Sequence, residues 1–485
     1  MITTDLIWTE KIFNGTWRKG GAGTLEVQAP ATGEVLASVG AASTEDLDRS
    51  VDAAITAQRK WAALPYDARA RVLRRAAQLL EENPDRLLPW LVRESGSGQG
   101  KAAFEVGLLV SELHECAALA STPYGEILRS AKPRLSVSRR VPLGIVGVIA
   151  PFNFPAILAL RSVAPALAVG NAVVLKPDPR TPISGGLLLA ELLAEAGLPA
   201  GVLHVLPGGV EIGQALVRHP QVPCISFTGS TAAGRKIAEA AGPLLKRVHL
   251  ELGGNNALLV LPDADVDAAA TAGAWGSFLH QGQICMTAGR HLVHSSIAEE
   301  YTRRLAEKAR SLLVGDPTDP SNALGPLIDE AQRDRVHRLV EDTVRAGGTL
   351  AAGGTYDDLF YRPTVLTDLS PQMPAWREEV FGPVAPVIAY KTLDEAVEVI
   401  NSSEYGLSVG ILTADAYRGM ELADRIITGI VHVNDQTVDD EAVIPFGGTK
   451  ASGVGGHFGG AKANLETFTD QQWVTVQSDI ERYPF

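Results

Sequence analysis

Cysteine is scarce in this chain: three in 485 residues, Cys116, Cys224 and Cys285. An odd, dispersed set without a CxxC pair is neither a disulfide framework nor a zinc site, and it suits a reducing cytoplasm. Positive charge is also in deficit. Forty-three Lys and Arg stand against 56 Asp and Glu, a net charge of −13, which argues against nucleic acid or an anionic membrane as a partner. The first stretch, MITTDLIWTEKIFNG, puts acids where a signal peptide needs a basic end and an apolar core. Long hydrophobic runs are missing too. The longest uncharged stretch, residues 141–160, is long enough for a membrane helix, but Pro142, Gly144, Gly147, Pro151, Asn153 and Pro155 interrupt it. It reads as strand, loop, then helix. Neither a short-period repeat nor a low-complexity tract is present.

What remains is a globular composition, 46% hydrophobic and 20% charged. At roughly 150 residues per domain this is about three domains' worth, or fewer if they are large α/β domains. Apolar strands are expected at 144–150, 172–176, 202–206, 224–227 and 256–261, with helical stretches such as PISGGLLLAELLAEAG between them. Continuous apolar strands separated by helices make a parallel sheet covered on both faces. A second series follows, with strands at 290–294, 384–390, 407–412 and 429–434 and helices near 297–311, 328–346, 393–401 and 415–426. The expected fold class is α/β, two doubly wound parallel-sheet domains meeting near residue 252. Residues 130–144 and 467–477 alternate polar with apolar instead and read as strands of a small exposed sheet. Exposed edges invite a second chain, so this flap is read as an oligomerisation element.

Several stretches could carry chemistry. SFTGSTAAGRK follows a strand and opens a helix, with Gly229 and Gly234 allowing backbone to approach a pyrophosphate; it is neither a P-loop nor GxGxxG. Glycine used for packing alone is the competing reading. In HLELGGNN, Glu251 ends a strand before two glycines and is placed for general-base work; a ribose-binding acid or a plain surface glutamate are the alternatives. Lys176 ends a strand in LKPDPRTP, where open α/β sheets bind ligands, or is a solvated lysine. In IAPFNFP, Asn153 offers an amide to a developing oxyanion, or caps the next helix. Cys285, in HQGQICMTAGR, becomes a nucleophile if a base lies near, and an inert core residue otherwise. His280 raises a Cys-His hydrolase alternative, weakened if a helix leads into Cys285 and turns the histidine off its face.

Taken together and in order, these residues resemble the aldehyde dehydrogenase superfamily over nearly the whole chain. The markers are PFNFP (151–155), LKPDPRTP (175–182), FTGS (227–230), LELGGNN (250–256), GQIC (282–285), EEVFGPV (378–384) and PFGGTKASG (445–453). HQGQICM and VNDQTVDDEAVIPFGGTKASG are most similar to the benzaldehyde, vanillin and salicylaldehyde members. The resemblance implies Cys285 as the nucleophile that forms a thiohemiacetal and then a thioester. Asn153 and the Cys285 N–H would stabilise the oxyanion, and Glu251 would activate the hydrolytic water. It also implies NAD or NADP as cofactor. Glu379 and Phe381 would hold the nicotinamide ribose and Lys176 the adenosine ribose, with Gly229 and Ser230 at the pyrophosphate. A soluble cytoplasmic homodimer or homotetramer follows, with a small-molecule aldehyde as partner, no nucleic acid, no membrane and no metal. The implied domains are a dinucleotide-binding domain over 1–122 and 143–252, a catalytic domain over 253–455, and oligomerisation segments at 123–142 and 464–485.

One position departs from the pattern. Many NAD-selective members carry a Glu three residues after the strand-end lysine, and this chain has Pro179 there, followed by Arg180. Losing that carboxylate removes repulsion against a 2′-phosphate, so NADP is expected to be accepted beside NAD. If a helix starts near Phe154, then Phe154, Ile157, Leu158 and Arg161 share one face, and with Phe446 they form a flat apolar pocket suited to an aryl ring. Arg161 meets either a ring hydroxyl or a structural carboxylate. The alternatives are an enzyme for aliphatic aldehydes, a coenzyme A-acylating dehydrogenase, and a non-catalytic binding protein of the same fold. The base Glu251 argues against acylation of coenzyme A, and the full set Asn153, Glu251 and Cys285 argues against a non-catalytic protein.

Overall fold

The computed structural model describes residues 6–454 and 456–485. Five parallel strands form the body of the first sheet, in the order Arg247–Glu251, Cys224–Thr228, Ile145–Ile149, Ala172–Lys176, Leu203–Val205. Two short antiparallel strands, Lys11–Phe13 and Trp17–Lys19, extend its edge. The central strands read IVGVI and AVVLK because both faces are covered. Val146, Val148, Val173 and Leu175 join the core beneath helix Pro155–Ala168, while Ile145, Ile149, Ala172 and Val174 face helices Thr44–Ala63 and Val210–Arg218. The two-residue period of a strand divides one apolar run between two cores.

The second sheet runs Thr349–Ala352, Thr364–Thr367, Val384–Tyr390, Ala288–His294, Asn256–Val260, Ser408–Leu412, Ile430–Val433. All neighbours are parallel except the first pair. It too splits its strands between two cores, Leu258, Val293 and Val387 on one face and Leu259, Leu292 and Ile388 on the other. The α/β reading with two parallel-sheet domains holds. One strand changes sheets: the run expected at 256–261, taken with the first series, lies inside the second sheet, between Ala288–His294 and Ser408–Leu412. The chain therefore crosses over at residues 252–255, directly after Glu251. The long uncharged run resolves into strand Ile145–Ile149, a loop and helix Pro155–Ala168, and among the described residues no helix is long and apolar enough to cross a membrane.

A third sheet is antiparallel and made of Gly125–Ile127, Leu135–Pro142 and the late strand Thr469–Val476. It covers the two alternating segments, although the tail first forms helix Ala461–Phe468. Arg247 fastens this tail to the first sheet by donating to the carbonyls of Thr467 and Thr469 at 3.2 and 2.7 Å.

Candidate active site

The sites proposed from the sequence lie at the carboxyl ends of strands in the first sheet, where Lys176 and Glu251 sit, and at the amino ends of strands in the second, where Cys285 precedes Ala288–His294 and Glu379 precedes Val384–Tyr390. Helix Val266–Phe278 stops seven residues short of Cys285, so no helix leads into the cysteine. A turn follows in which His280, Gln281 and Gly282 all adopt left-handed backbone, with φ of 49°, 57° and 67°. Gly282 is required on two counts, since a Cβ there would strike the Gly382 carbonyl. The strained turn is held by its amide side chains. Gln281 Nε2 donates to the carbonyls of Gly96 and Pro326 at 2.9 and 3.0 Å, and Gln283 Oε1 accepts from Ile328 N–H at 3.0 Å. Asn256 Nδ2 donates to the Cys285 carbonyl at 2.7 Å and to that of Thr287 at 2.9 Å. The polar letters around Cys285 are thus brackets that fix its backbone. His280 packs edge-on against Phe154, ring centroids 5.9 Å apart, inside the core rather than beside the thiol.

Asn153 reaches this loop from the other domain. Its Nδ2 donates to the Gln283 carbonyl at 2.8 Å, two residues before the cysteine. Its own carbonyl accepts from Lys101 Nζ at 2.7 Å, and Lys101 is ion-paired with Glu105 at 2.6 Å. Glu105 also accepts from the N–H groups of Ala156 and Ile157 at 2.9 and 3.2 Å. It therefore satisfies donors at the start of helix Pro155–Ala168 that Phe154, the residue before it, cannot satisfy.

Glu251 ends its strand, 1% exposed, and its main chain is pinned by Gly229 N–H and, one residue on, by Ser452. Burial raises its carboxyl above the ordinary range. The Cys285 thiol is pushed up as well, first by burial and then by the carboxylates of Glu379, Glu251 and Asp440. At rest it is a thiol, surrounded by acids.

Glu379 turns into the Gly253–Gly254 turn and accepts from Gly254 N–H at 3.0 Å, and burial raises its carboxyl to about 7. Phe381 has a left-handed backbone, φ 54°, and meets Phe152 edge-on at 5.9 Å. Ser230 caps helix Thr231–Ala241 by accepting from Ala233 N–H at 3.3 Å. Two strands further along the sheet, at the end of Ala172–Lys176, Lys176 is 7% exposed. Among the described residues its Nζ makes neither a hydrogen bond nor an ion pair, and burial pushes its ammonium below the usual range. A buried cation without a partner, at the carboxyl end of a parallel strand, fits a ribose hydroxyl or a phosphate. Arg180 is already committed, to Asp178 at 2.8 Å and Asp329 at 2.6 Å.

The apolar set divides. Ile157, Leu158 and Phe446 belong, with Phe458 and Met286, to the cluster against which Cys285 packs. Phe154 belongs to it too, with Lys101 Nζ 3.9 Å from its ring centre. Arg161 takes the structural carboxylate. Its Nη1 donates to Asp440 at 2.6 Å, Nη2 to the Glu441 carbonyl at 2.6 Å, and Nε lies 3.5 Å from Glu112, with Phe446 and Phe458 near its guanidinium.

The model of the aldehyde dehydrogenase family matches residues 17–474. The chain belongs to that family. A vanillin dehydrogenase of an Amycolatopsis species is 59% identical over 481 residues, 99% of either chain. The benzaldehyde dehydrogenase [NAD(+)] of Pseudomonas putida is 49% identical over 480 residues, 99% of this chain and 98% of its own. Among solved structures, the NAD+ complex of an aldehyde dehydrogenase from Bacillus cereus superposes with TM-score 0.93 at 34% identity, over 97% of this chain and 96% of that one. An NADP-dependent enzyme of E. coli superposes equally well, TM-score 0.93 at 32% identity, over 97% and 98%. This aldehyde dehydrogenase therefore uses a nicotinamide cofactor.

Sequence reasoning passed over Lys101, Glu105, Asp440 and His249 of this dehydrogenase. Asp440 pairs with Arg161 on a distant element, which spacing cannot disclose, and although Lys101 and Glu105 pair four residues apart on one helix, nothing in their spacing tells of the Asn153 carbonyl and the helix start that they bond. His249 carried a readable signal, since a residue two before Glu251 on a strand shares its face.

Proposed function

We propose that this dehydrogenase oxidises an aromatic aldehyde to its carboxylic acid, with Cys285 as nucleophile. The observation that carries it is the convergence on one loop: Asn153 bonded to the carbonyl two residues before Cys285, and Glu251 buried with its charge bearing on the thiol. The Cys285 thiol gives up its proton to solvent, and the sulfur adds to the carbonyl carbon, giving a thiohemiacetal oxyanion. Asn153 Nδ2, released from the Gln283 carbonyl, and the Cys285 N–H donate to that oxygen. A bound nicotinamide would supply the hydride acceptor, and loss of hydride from the former aldehyde carbon leaves the Cys285 sulfur in a thioester. Glu251 takes a proton from water as the hydroxide adds to the thioester carbon. The carbon–sulfur bond breaks, the acid leaves and the thiolate returns. Lys176, Gly229, Ser230, Glu379 and Phe381 would hold the cofactor. The first sheet and residues 1–122 would form its domain, and residues 253–455 the catalytic domain.

An aryl substrate is favoured by the apolar cluster against which Cys285 packs, which includes Leu158, Phe446 and Phe458, and by what the vanillin and benzaldehyde relatives are named for. With Pro179 in place of a ribose-binding acid, both NAD and NADP are accepted. The test is absorbance at 340 nm with benzaldehyde or vanillin, each cofactor in turn, without coenzyme A, beside Cys285→Ala. Reduction that needs the cysteine supports the reading. Reduction only with aliphatic aldehydes removes the aryl assignment, and an absolute need for coenzyme A removes the hydrolytic step. A preference for NAD beyond about a thousandfold, some 4 kcal/mol, sinks dual cofactor use.

A further inference from the structure

Glu251 is the base in the proposed function, and among the described residues its carboxylate has His249 as the polar neighbour within hydrogen-bond reach able to exchange a proton. His249 lies two residues earlier on strand Arg247–Glu251, on the same face and equally buried, both residues 1% exposed. Its Nε2 is 3.2 Å from Glu251 Oε1. Its other nitrogen, Nδ1, is 3.1 Å from Ser226 Oγ on the adjacent strand, and that hydroxyl is 2.8 Å from Ser162 Oγ on helix Pro155–Ala168. Phe458 lies against the ring, centroids 5.0 Å apart, and a Cβ on Gly456 would come within 2.8 Å of its Cδ2. The imidazole is wedged: Nδ1 bonds a hydroxyl that can donate or accept, and Nε2 faces the Glu251 carboxyl without a hydrogen bond at rest.

We infer that His249 is a positioning and proton-accepting residue for Glu251, acting in thioester hydrolysis rather than in the attack on the aldehyde. The inference rests on the proposed function. When Nδ1–H donates to the Ser226 hydroxyl, the neutral ring leaves Nε2 without a proton and turned toward the Glu251 carboxyl. Water gives its proton to Glu251 as its oxygen adds to the thioester carbon. Nε2 then accepts the carboxyl proton and releases it once the acid has left. No oxidant or further reactant is needed, since one proton moves from water to Glu251 to His249. The other charged groups facing the pair are accounted for. Arg161 and Asp440 bear on Glu251 with opposite sign and are bonded to each other, Cys285 lies across the site, and His457 approaches His249. Without its histidine the carboxylate would be a buried charge facing acids, so its acid limb would move to higher pH.

His249→Gln retains a donor but cannot take up the proton. Two measurements on the intact enzyme decide the matter: the kcat–pH profile with benzaldehyde, and the rapid-mixing trace of cofactor reduction. The expected result is a kcat lowered at least tenfold, with an acid limb displaced upward by a pH unit or more. A burst of about one reduced cofactor per subunit, at the wild-type burst rate, should appear as hydrolysis becomes limiting. A purely structural role would shrink the burst amplitude and leave the limb in place, and that result overturns the inference. Ser226→Ala, which removes the Nδ1 partner without touching Glu251, is the second arm and is expected to move the limb in the same direction by less. If His249→Gln does not fold, Ser226→Ala decides alone: a shifted limb supports the inference, and a wild-type profile overturns it. Active wild-type enzyme with unshifted variants refutes the role of His249 only. A wild-type enzyme that reduces no cofactor refutes the proposed function, and this inference with it.

Discussion

Asn153 gives its amide to the Gln283 carbonyl, so the group proposed for the oxyanion is parked on the backbone of the loop it serves. The exchange from a neutral carbonyl to a full negative charge favours the transition state over the resting enzyme. Asn153→Ala is expected to lower kcat by about a hundredfold or more while KM changes little, read at 340 nm with benzaldehyde. The thiol makes a second prediction. Burial and three nearby carboxylates hold Cys285 above the ordinary thiol range, so the cofactor-free enzyme is protonated at neutral pH. Alkylation by iodoacetamide should be slow near pH 7 and should still be accelerating above pH 9, where an ordinary thiol, with its pKa of about 8.5, has largely levelled off. Following the loss of activity against pH checks this, and a plateau reached by pH 8 would contradict it.

Helix Pro155–Ala168 is the element that joins these residues. Its first turn is satisfied by Glu105 from a neighbouring helix, and further along Arg161 ties it to the 440 loop. Arg161→Ala would leave Asp440 and Glu112 buried without their cation, and a loss of about 3–5 kcal/mol of stability is expected, read by denaturant melting. Relative rates on benzaldehyde and hydroxybenzaldehydes should not change, because the guanidinium is already occupied. Elements of this kind were partly legible in the sequence. Strands Ala172–Lys176 and Val384–Tyr390 and helix Leu393–Asn401 fall where apolar runs between turn residues place them. Lys11–Phe13 and Thr364–Thr367 escaped, being three or four residues long and made strands only by partners far along the chain. The same distinction holds at the site. Asn153, Glu251 and Cys285 were legible because each lies just past a strand, at its end or beside a glycine turn, whereas Glu379 was legible only through the resemblance of EEVFGPV. Asp440 was not, because a lone charge says nothing of the partner the fold will bring to it, nor was Lys101, whose nearby Glu105 gives no sign that the lysine also reaches the Asn153 carbonyl.

At the scale of the whole molecule, the third sheet is the surface least explained by a single chain. Ile127 is 81% exposed and Trp473 64%, on strands whose outer edges have no partner among the described residues. If this edge pairs subunits, Trp473→Asp should shift the protein to a smaller species in light scattering after size exclusion, leaving the far-ultraviolet dichroism unchanged. An unchanged mass would place the interface elsewhere. The register of this sheet reaches further than assembly. Arg139 bonds Gln472, 333 residues away, across neighbouring strands. On the ribosome, the Leu135–Pro142 edge must wait bare until nearly the entire chain has been made. Synthesis that stops early leaves a sticky strand with its mate unmade, so truncated products should be those that collect on chaperones or aggregate, while a circularly permuted chain that brings the two strands together in time should not.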